Sequence, residues 1–209
     1  MPTDPTRVDL YFDPLCPWCW RTALWLRDVA RRQPVSINWK LFSLTLVNHP
    51  EDYGSDQFLK WFELGRVLVA ARNHGGNEAL ERLYMSLGEV IHGEQRREDL
   101  RAEAGVVECL TKAGLPESLY KDALNDPNTE SALTEEHTKA RERLGAFGVP
   151  TLALEGSDIA IFGPVIEPIP SGEEADTLWE HTRWLLQQPY VWEFKRERKV
   201  KLQAQHVTA

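Results

Sequence analysis

The run Cys16-Pro17-Trp18-Cys19 lies between a strand pattern and a helix pattern, and this placement narrows the possible folds more than any other feature. Before it, Val8, Leu10 and Phe12 alternate with other residues, as in a half-buried strand. Asp13-Pro14 marks a turn. Cys16 then falls at an N-cap position, with Pro17 in the first helical turn, where the missing N–H costs nothing. Cys19, Ala23, Leu26 and Ala30 recur at helical spacing, which predicts a helix to about Arg32, ended by Pro34. Val35, Ile37, Trp39 and Leu41 alternate again. They predict a second strand, parallel to the first through a right-handed crossover.

From about Asp56 to Leu144 the pattern is helical. Val106, Cys109, Leu110 and Ala113 make one apolar face, and Leu133, His137, Ala140 and Leu144 another. Gly114-Leu115-Pro116 and Asn125-Asp126-Pro127 divide this stretch into separate helices. Strand patterns return at residues 151–154 and 159–162, joined by a short hairpin at 155–158. Ser171 and Glu174 have capping-box spacing and predict a last long helix, with Ala175, Leu178, Thr182 and Leu185 on one face. The order β-α-β, helical block, β-β-α predicts an α/β thioredoxin fold with a helical domain inserted in its middle. The thioredoxin-like domain is placed at residues 1–48 plus 145–209, and the inserted helical domain at 49–144.

Cys-X-X-Cys at a helix start is the layout of a thiol–disulfide redox centre. The thiolate is the attacking species, and unpaired N–H groups of the first helical turn favour it. Cys16 sits at that start and is assigned as the nucleophile. Cys19, one turn further in, is assigned as the thiol that resolves the mixed disulfide. A zinc half-site is the competing reading of the pair. It would need about four ligands, and the chain has neither a second Cys-X-X-Cys nor a histidine at suitable spacing, so no metal is expected. Cys109 lies within an apolar helical face and reads as a small buried hydrophobe.

Gly148-Val149-Pro150-Thr151 precedes the third strand. A cis-proline there would face the cysteines and expose the backbone of Val149 to a substrate, whereas a plain strand-initiating proline is the simpler reading. Trp18, between the cysteines, reads as an exposed indole able to pack against a substrate or a small thiol. Trp20 and Trp25 read as core residues. Asn48 is either a groove residue or a helix cap. His49, His74 and His92 read as surface or hydrogen-bonded histidines, with His92 the nearest to a groove position.

Composition removes several other classes. The 209-residue chain is 42% hydrophobic, enough for a sizeable core. Its formal net charge of −8 argues against nucleic acid and anionic membranes as partners. The basic run from Lys195 to Lys201 alternates with Glu193 and Glu197 and reads as a solvated helix face. No apolar run approaches the roughly 20 residues that span a bilayer. The polar start, Met1 to Thr6, lacks the apolar stretch of a signal peptide. A cytoplasmic location is expected, where a cysteine pair is more often catalytic than structural.

Residues 11–20, Tyr-Phe-Asp-Pro-Leu-Cys-Pro-Trp-Cys-Trp, resemble the active-site segment of the DsbA family. They are most similar to its actinobacterial branch of cytoplasmic mycothiol-dependent reductases, also described as nitroreductases. Further likeness lies in Ser43-Leu44 with Asn48, in Phe162-Gly163-Pro164-Val165, in residues 169–175 with Leu178-Trp179, and in Glu193-Phe194-Lys195-Arg196. The likeness covers nearly the whole chain and is weakest from Pro50 to Arg82. It implies Cys16 and Cys19 as the redox pair. It also implies Pro17, Trp18, Asn48, Val149, Pro150 and Thr151 around the substrate groove. Electrons would come from mycothiol, with no tightly bound cofactor and with a mycoredoxin or another redox protein as a partner. The substrates would be disulfides or small electrophiles, nitro compounds among them, and the protein a monomer or weak homodimer.

Two other readings meet the same fold. A kappa-type glutathione transferase or 2-hydroxychromene-2-carboxylate isomerase shares the insertion but usually has serine in place of Cys16, and has no use for Cys19. A chaperone-like binding module would draw on the eight tryptophans.

Overall fold

The computed structural model describes residues 4–48, 55–199 and 202–207. Strand β1 (Thr6–Phe12) leads through a tight turn into helix α1 (Pro17–Ala30), and β2 (Val35–Leu41) follows. A short α2 (Leu44–Asn48) precedes the helical stretch. That stretch comprises α3 (Asp56–Gly88), a single π turn (Glu89–Gly93), a 3-10 turn (Arg97–Arg101), α4 (Glu103–Lys112), α5 (Leu119–Asn125) and α6 (Pro127–Leu144). The chain then forms β3 (Thr151–Leu154), β4 (Ala160–Phe162) and α7 (Gly172–Leu185). The sheet order is β2-β1-β3-β4. β1 and β2 are parallel in the register Thr6↔Val35 to Phe12↔Leu41. β3 runs antiparallel to both β1 and β4.

Every core-facing position of β1 named from the alternation is buried: Val8, Leu10 and Phe12 are inaccessible to solvent. Helix α1 lays Ala23, Leu26 and Trp25 into the core. The Trp25 indole N–H donates to the Ala175 carbonyl at 3.0 Å, fastening α1 to α7. Trp20, Trp25, Trp39 and Trp179 are all essentially buried. Truncating any one of them would cost roughly 3–5 kcal/mol.

The long α3 holds a break the sequence reading missed. Gly75 and Gly76 are non-helical, and Gly76 has φ 69°, a left-handed value that favours glycine. The break delivers Asn77 to the free edge of β2. Its amide oxygen accepts from the Trp39 N–H and its amide nitrogen donates to the Ile37 carbonyl, both at 2.9 Å. An exposed strand edge is a template for aggregation; here a side chain occupies it. Beyond the break, Tyr84 stacks on Phe12 at 4.0 Å and meets Trp20 and Trp39 edge-on.

Three expectations need correction. Ser171 is at the N-cap of α7, but its side chain caps nothing. Gly172 enters the helix with φ 57°, and this sharp turn carries the Ser171 hydroxyl away from the first-turn N–H groups. The described part of the basic run, up to Lys199, is irregular and not a helix face. Ion pairs within it join Lys195 to Glu193 and Lys199 to Glu197, two residues apart, the spacing at which an extended chain brings side chains to one side. Helix α1 ends at Ala30, slightly before Arg32. His49 lies outside the described residues.

Candidate active site

The turn between β1 and α1 is shaped by Asp13. Its Oδ1 accepts from the Leu15 N–H at 2.8 Å, and its carbonyl accepts from the Cys16 N–H at 3.0 Å. Its Oδ2 accepts from the Leu44 N–H at 2.7 Å, so the turn is also tied to the start of α2. Cys16 is thereby placed as the N-cap of α1 with extended backbone (φ −81°, ψ 114°). Both Cys16 and Cys19 are free thiols and buried, Cys16 at 5% exposure and Cys19 at 0%.

The two sulfurs differ sharply in proton affinity. The Cys19 thiol donates to Cys16, and the backbone N–H groups of Cys19 and Trp18 add to this, holding Cys16 below the usual thiol range against burial and the Asp13 charge. Cys19 is pushed well above that range, first by burial and then by its own donation to Cys16. One nucleophile and one reserve thiol follow directly from where the helix begins.

Facing them, the Val149–Pro150 peptide bond is cis. The Val149 carbonyl accepts from Cys16 Sγ at 3.5 Å. Thr151 is buried, its hydroxyl donating to the Gly148 carbonyl at 2.8 Å. Beside this loop, Phe147 and Phe162 stack at 5.2 Å and remain exposed. Pro17 gives its carbonyl to Arg21 at 3.2 Å. Trp18 is half-buried and not freely exposed as expected, because the guanidinium groups of Arg21 and Arg198 lie 5.9 and 5.2 Å from its ring centroid. Asn48 is exposed at the last position of α2. His74 is exposed.

Three contributors are absent from the sequence reading or only partly legible in it, His92 being read there as a surface or hydrogen-bonded histidine nearest to a groove position. In the sequence Asp13 reads only as a turn residue, since its second hydrogen bond crosses to a segment 31 residues away. His92 donates through Nε2 to the Pro14 carbonyl at 2.9 Å and stacks on Trp20 at 5.8 Å. Burial lowers its pKa to about 4, with Arg21 and Arg97 adding to the effect, so the ring is neutral at pH 7. It sits on the π turn, a distortion often found at functional sites. The C-terminal segment is the third. Trp20 donates to the Gln205 carbonyl at 2.8 Å, Arg21 donates to the Gln203 carbonyl, and Glu89 accepts from the Val207 N–H at 2.7 Å and pairs with His206. Arg21 is itself buried and paired with Glu167. No local pattern near residue 205 announces these contacts. Cys109 is apart from the site, buried in α4, and burial pushes its thiol up to about 11. No cluster of three or more potential metal-ligating side chains occurs among the described residues.

A mixed sheet of this topology, with a Cys-X-X-Cys pair opening its first helix and helices inserted after its second strand, is a thioredoxin fold of the DsbA type. Solved structures agree in fold. The cytosolic disulfide reductase DsbM from Pseudomonas aeruginosa superposes with TM-score 0.60 at 16% identity, covering 86% of this chain and 99% of that one. DsbA from Xylella fastidiosa gives 0.57 at 17%, covering 87% of each. A 2-hydroxychromene-2-carboxylate isomerase gives 0.58 at 19%, covering 86% and 94%. The chain belongs to the Rv2466c-like family of mycothiol-dependent nitroreductases, whose model matches residues 15–196. It is also 31% identical to the uncharacterised protein Rv2286c of Mycobacterium tuberculosis over 197 residues, 91% of this chain and 82% of the relative. It is therefore an enzyme of thiol–disulfide redox chemistry.

Proposed function

We propose that this protein is a cytoplasmic, mycothiol-dependent reductase that works through Cys16 and Cys19. The observation that carries the reading is the split between the two thiols at the helix start, one lowered by the Cys19 thiol and then by the N–H groups of Cys19 and Trp18, the other raised by burial. The Cys16 thiolate attacks a substrate disulfide, forms a Cys16–substrate disulfide and expels one thiolate. Cys19 then loses its proton and attacks Cys16, which releases the second substrate thiolate and leaves a Cys16–Cys19 disulfide. A mycothiol thiolate opens that disulfide at Cys16. A second mycothiol attacks the mycothiol sulfur of the mixed species, so two mycothiols become one mycothiol disulfide and the dithiol is restored.

Val149, Pro150 and Thr151 offer backbone to the bound chain, and Pro17, Trp18 and Asn48 line the groove. Two-electron reduction of nitro compounds by the same dithiol is the further activity, and a mycoredoxin is the protein partner. No helix among the described residues is long and apolar enough to cross a membrane. The thioredoxin-like domain comprises residues 1–48 and 145–209, and residues 49–144 form the inserted helical domain.

Trapping tests the reading. A Cys19→Ser variant expressed in mycothiol-producing cells stalls as a mixed disulfide on Cys16. Mass spectrometry should find mycothiol or a small redox protein there. Recovery of oxidised secreted proteins alone would overturn the reductase assignment. Sustained turnover by the same variant would instead mark a transferase or isomerase.

A further inference from the structure

Asp13 is a buried carboxyl that the exchange chemistry above does not use. Its two oxygens accept backbone N–H groups from separate segments: Leu15 in the cysteine turn and Leu44 at the start of α2. Its carbonyl also accepts from the Cys16 N–H. One residue thus shapes the loop that carries Cys16 and fastens the helix that ends in Asn48.

The groups around it are few. Cys16 and Cys19 face it from the start of α1, Tyr84 from α3 and the Arg97 cation from the 3-10 turn. His92, on the neighbouring Pro14 carbonyl, is neutral. The Tyr84 hydroxyl has no hydrogen-bond partner among the described residues, and none of the bonds to the carboxylate comes from it. Burial raises the Asp13 carboxyl to about 6, although the Leu44 and Leu15 amides and Arg97 pull it down. Its charge and a thiolate on Cys16 oppose each other, each raising the other's affinity for a proton.

We propose that Asp13 is a positioning residue that locks the cysteine turn to α2 and exchanges its charge against that of Cys16. A thiolate on Cys16 shifts Asp13 toward its protonated form, the proton coming from solvent. One of its oxygens then becomes a hydroxyl donor and gives up a backbone N–H. When the Cys16–Cys19 disulfide forms, the thiolate disappears, Asp13 returns its proton to solvent and both amides are held again. The redox state of the sulfurs thereby reaches α2 through a single carboxyl. The inference rests on Cys16 being the thiolate of the proposed reaction.

The test uses the full chain, labelled for NMR, in its dithiol and disulfide forms. The Asp13 carboxyl should titrate about one unit higher in the dithiol form, and linkage requires Cys16 to feel Asp13 by the same amount. The Leu44 amide should exchange faster with solvent in the dithiol form. In Asp13→Asn the charge is gone but one acceptor remains, so the Cys16 alkylation midpoint should fall by about one unit. A rise in that midpoint would show that Asp13 acts by geometry alone. An Asp13 titration identical in the two redox forms would overturn the coupling, and that measurement needs no variant. If wild-type Cys16 titrates like a free thiol, the active-site reading fails. If Cys16 is acidic and Asp13 does not respond to it, only the coupling fails.

Discussion

The hydrogen bond from Cys19 to Cys16 can be weighed by changing the donor. It is the largest influence lowering Cys16, ahead of the opposing effect of burial. A hydrogen bond to a charged group contributes about 1.5–3 kcal/mol, and sulfur is a weak donor, so the lower end applies. At about 1.4 kcal/mol per unit, this is close to one unit of thiol pKa. Cys19→Ala removes the donor and leaves the N–H groups of Cys19 and Trp18 in place. Cys19→Ser replaces S–H by O–H and keeps a donor. Thiolate absorbance at 240 nm, calibrated by alkylation, reads the midpoint. Cys109, raised to about 11, stays silent in the first step. The alanine variant should titrate about one unit above the wild type, and the serine variant within about half a unit of it. Alkylation rates at fixed pH will change less, about threefold, because a more basic thiolate is also a better nucleophile. If the alanine and serine variants titrate together, the side chain of Cys19 does not hold the thiolate and the reasoning is wrong.

The neutral His92 makes stability pH-dependent. Its pKa is about 4 in the fold against 6.5 unperturbed, so its contribution is fully present above pH 6.5 and is lost as the pH falls through about 4. That difference corresponds to roughly 3 kcal/mol. His92→Gln keeps an N–H for the Pro14 carbonyl, and its urea midpoint should flatten by that amount between pH 6.5 and 4 relative to wild type; parallel pH curves would refute this. Gly88→Ala would place a Cβ 2.1 Å from the ring of the buried Trp20, which is wedged against Tyr84 and His92 and has no room to move. A loss of about 1–3 kcal/mol in chemical denaturation is expected, and an unchanged midpoint would contradict the packing. Cys109→Ala should leave disulfide reduction unchanged, and native wild-type protein should resist alkylation at that position at pH 8. Labelling there as fast as at Cys16 would show α4 to be open.

Alternation with period two in residues 8–12 and 35–41 placed the first two strands; residues 151–154 read as a short apolar strand, and Thr151, Leu152 and Ala153 are buried in succession at the centre of the sheet. The parallel pairing of β1 and β2 followed from the helix between them. The nucleophile was legible for a local reason: an N-cap sulfur meets the first-turn N–H groups of its own helix, so proximity in sequence suffices. Where the cause was not local, the reading stopped short. Ser171 had the right spacing for a cap, but the backbone of Gly172 turned it away. The break at Gly75–Gly76 acquires its purpose only when Asn77 meets an edge strand some forty residues earlier.

The amino-acid order alone therefore determined the sheet, the helix start and the reactive sulfur, since these depend on periodicity and on neighbours within one turn. Tertiary packing decided which carboxyl lies buried beside that sulfur, that His92 braces the turn from a distant π turn, and that residues 203–207 return to cover Trp20 and Arg21. Each of these is a hydrogen bond between segments far apart in the chain. Its partner is chosen by how the core brings elements together, and no pattern along the chain encodes that choice.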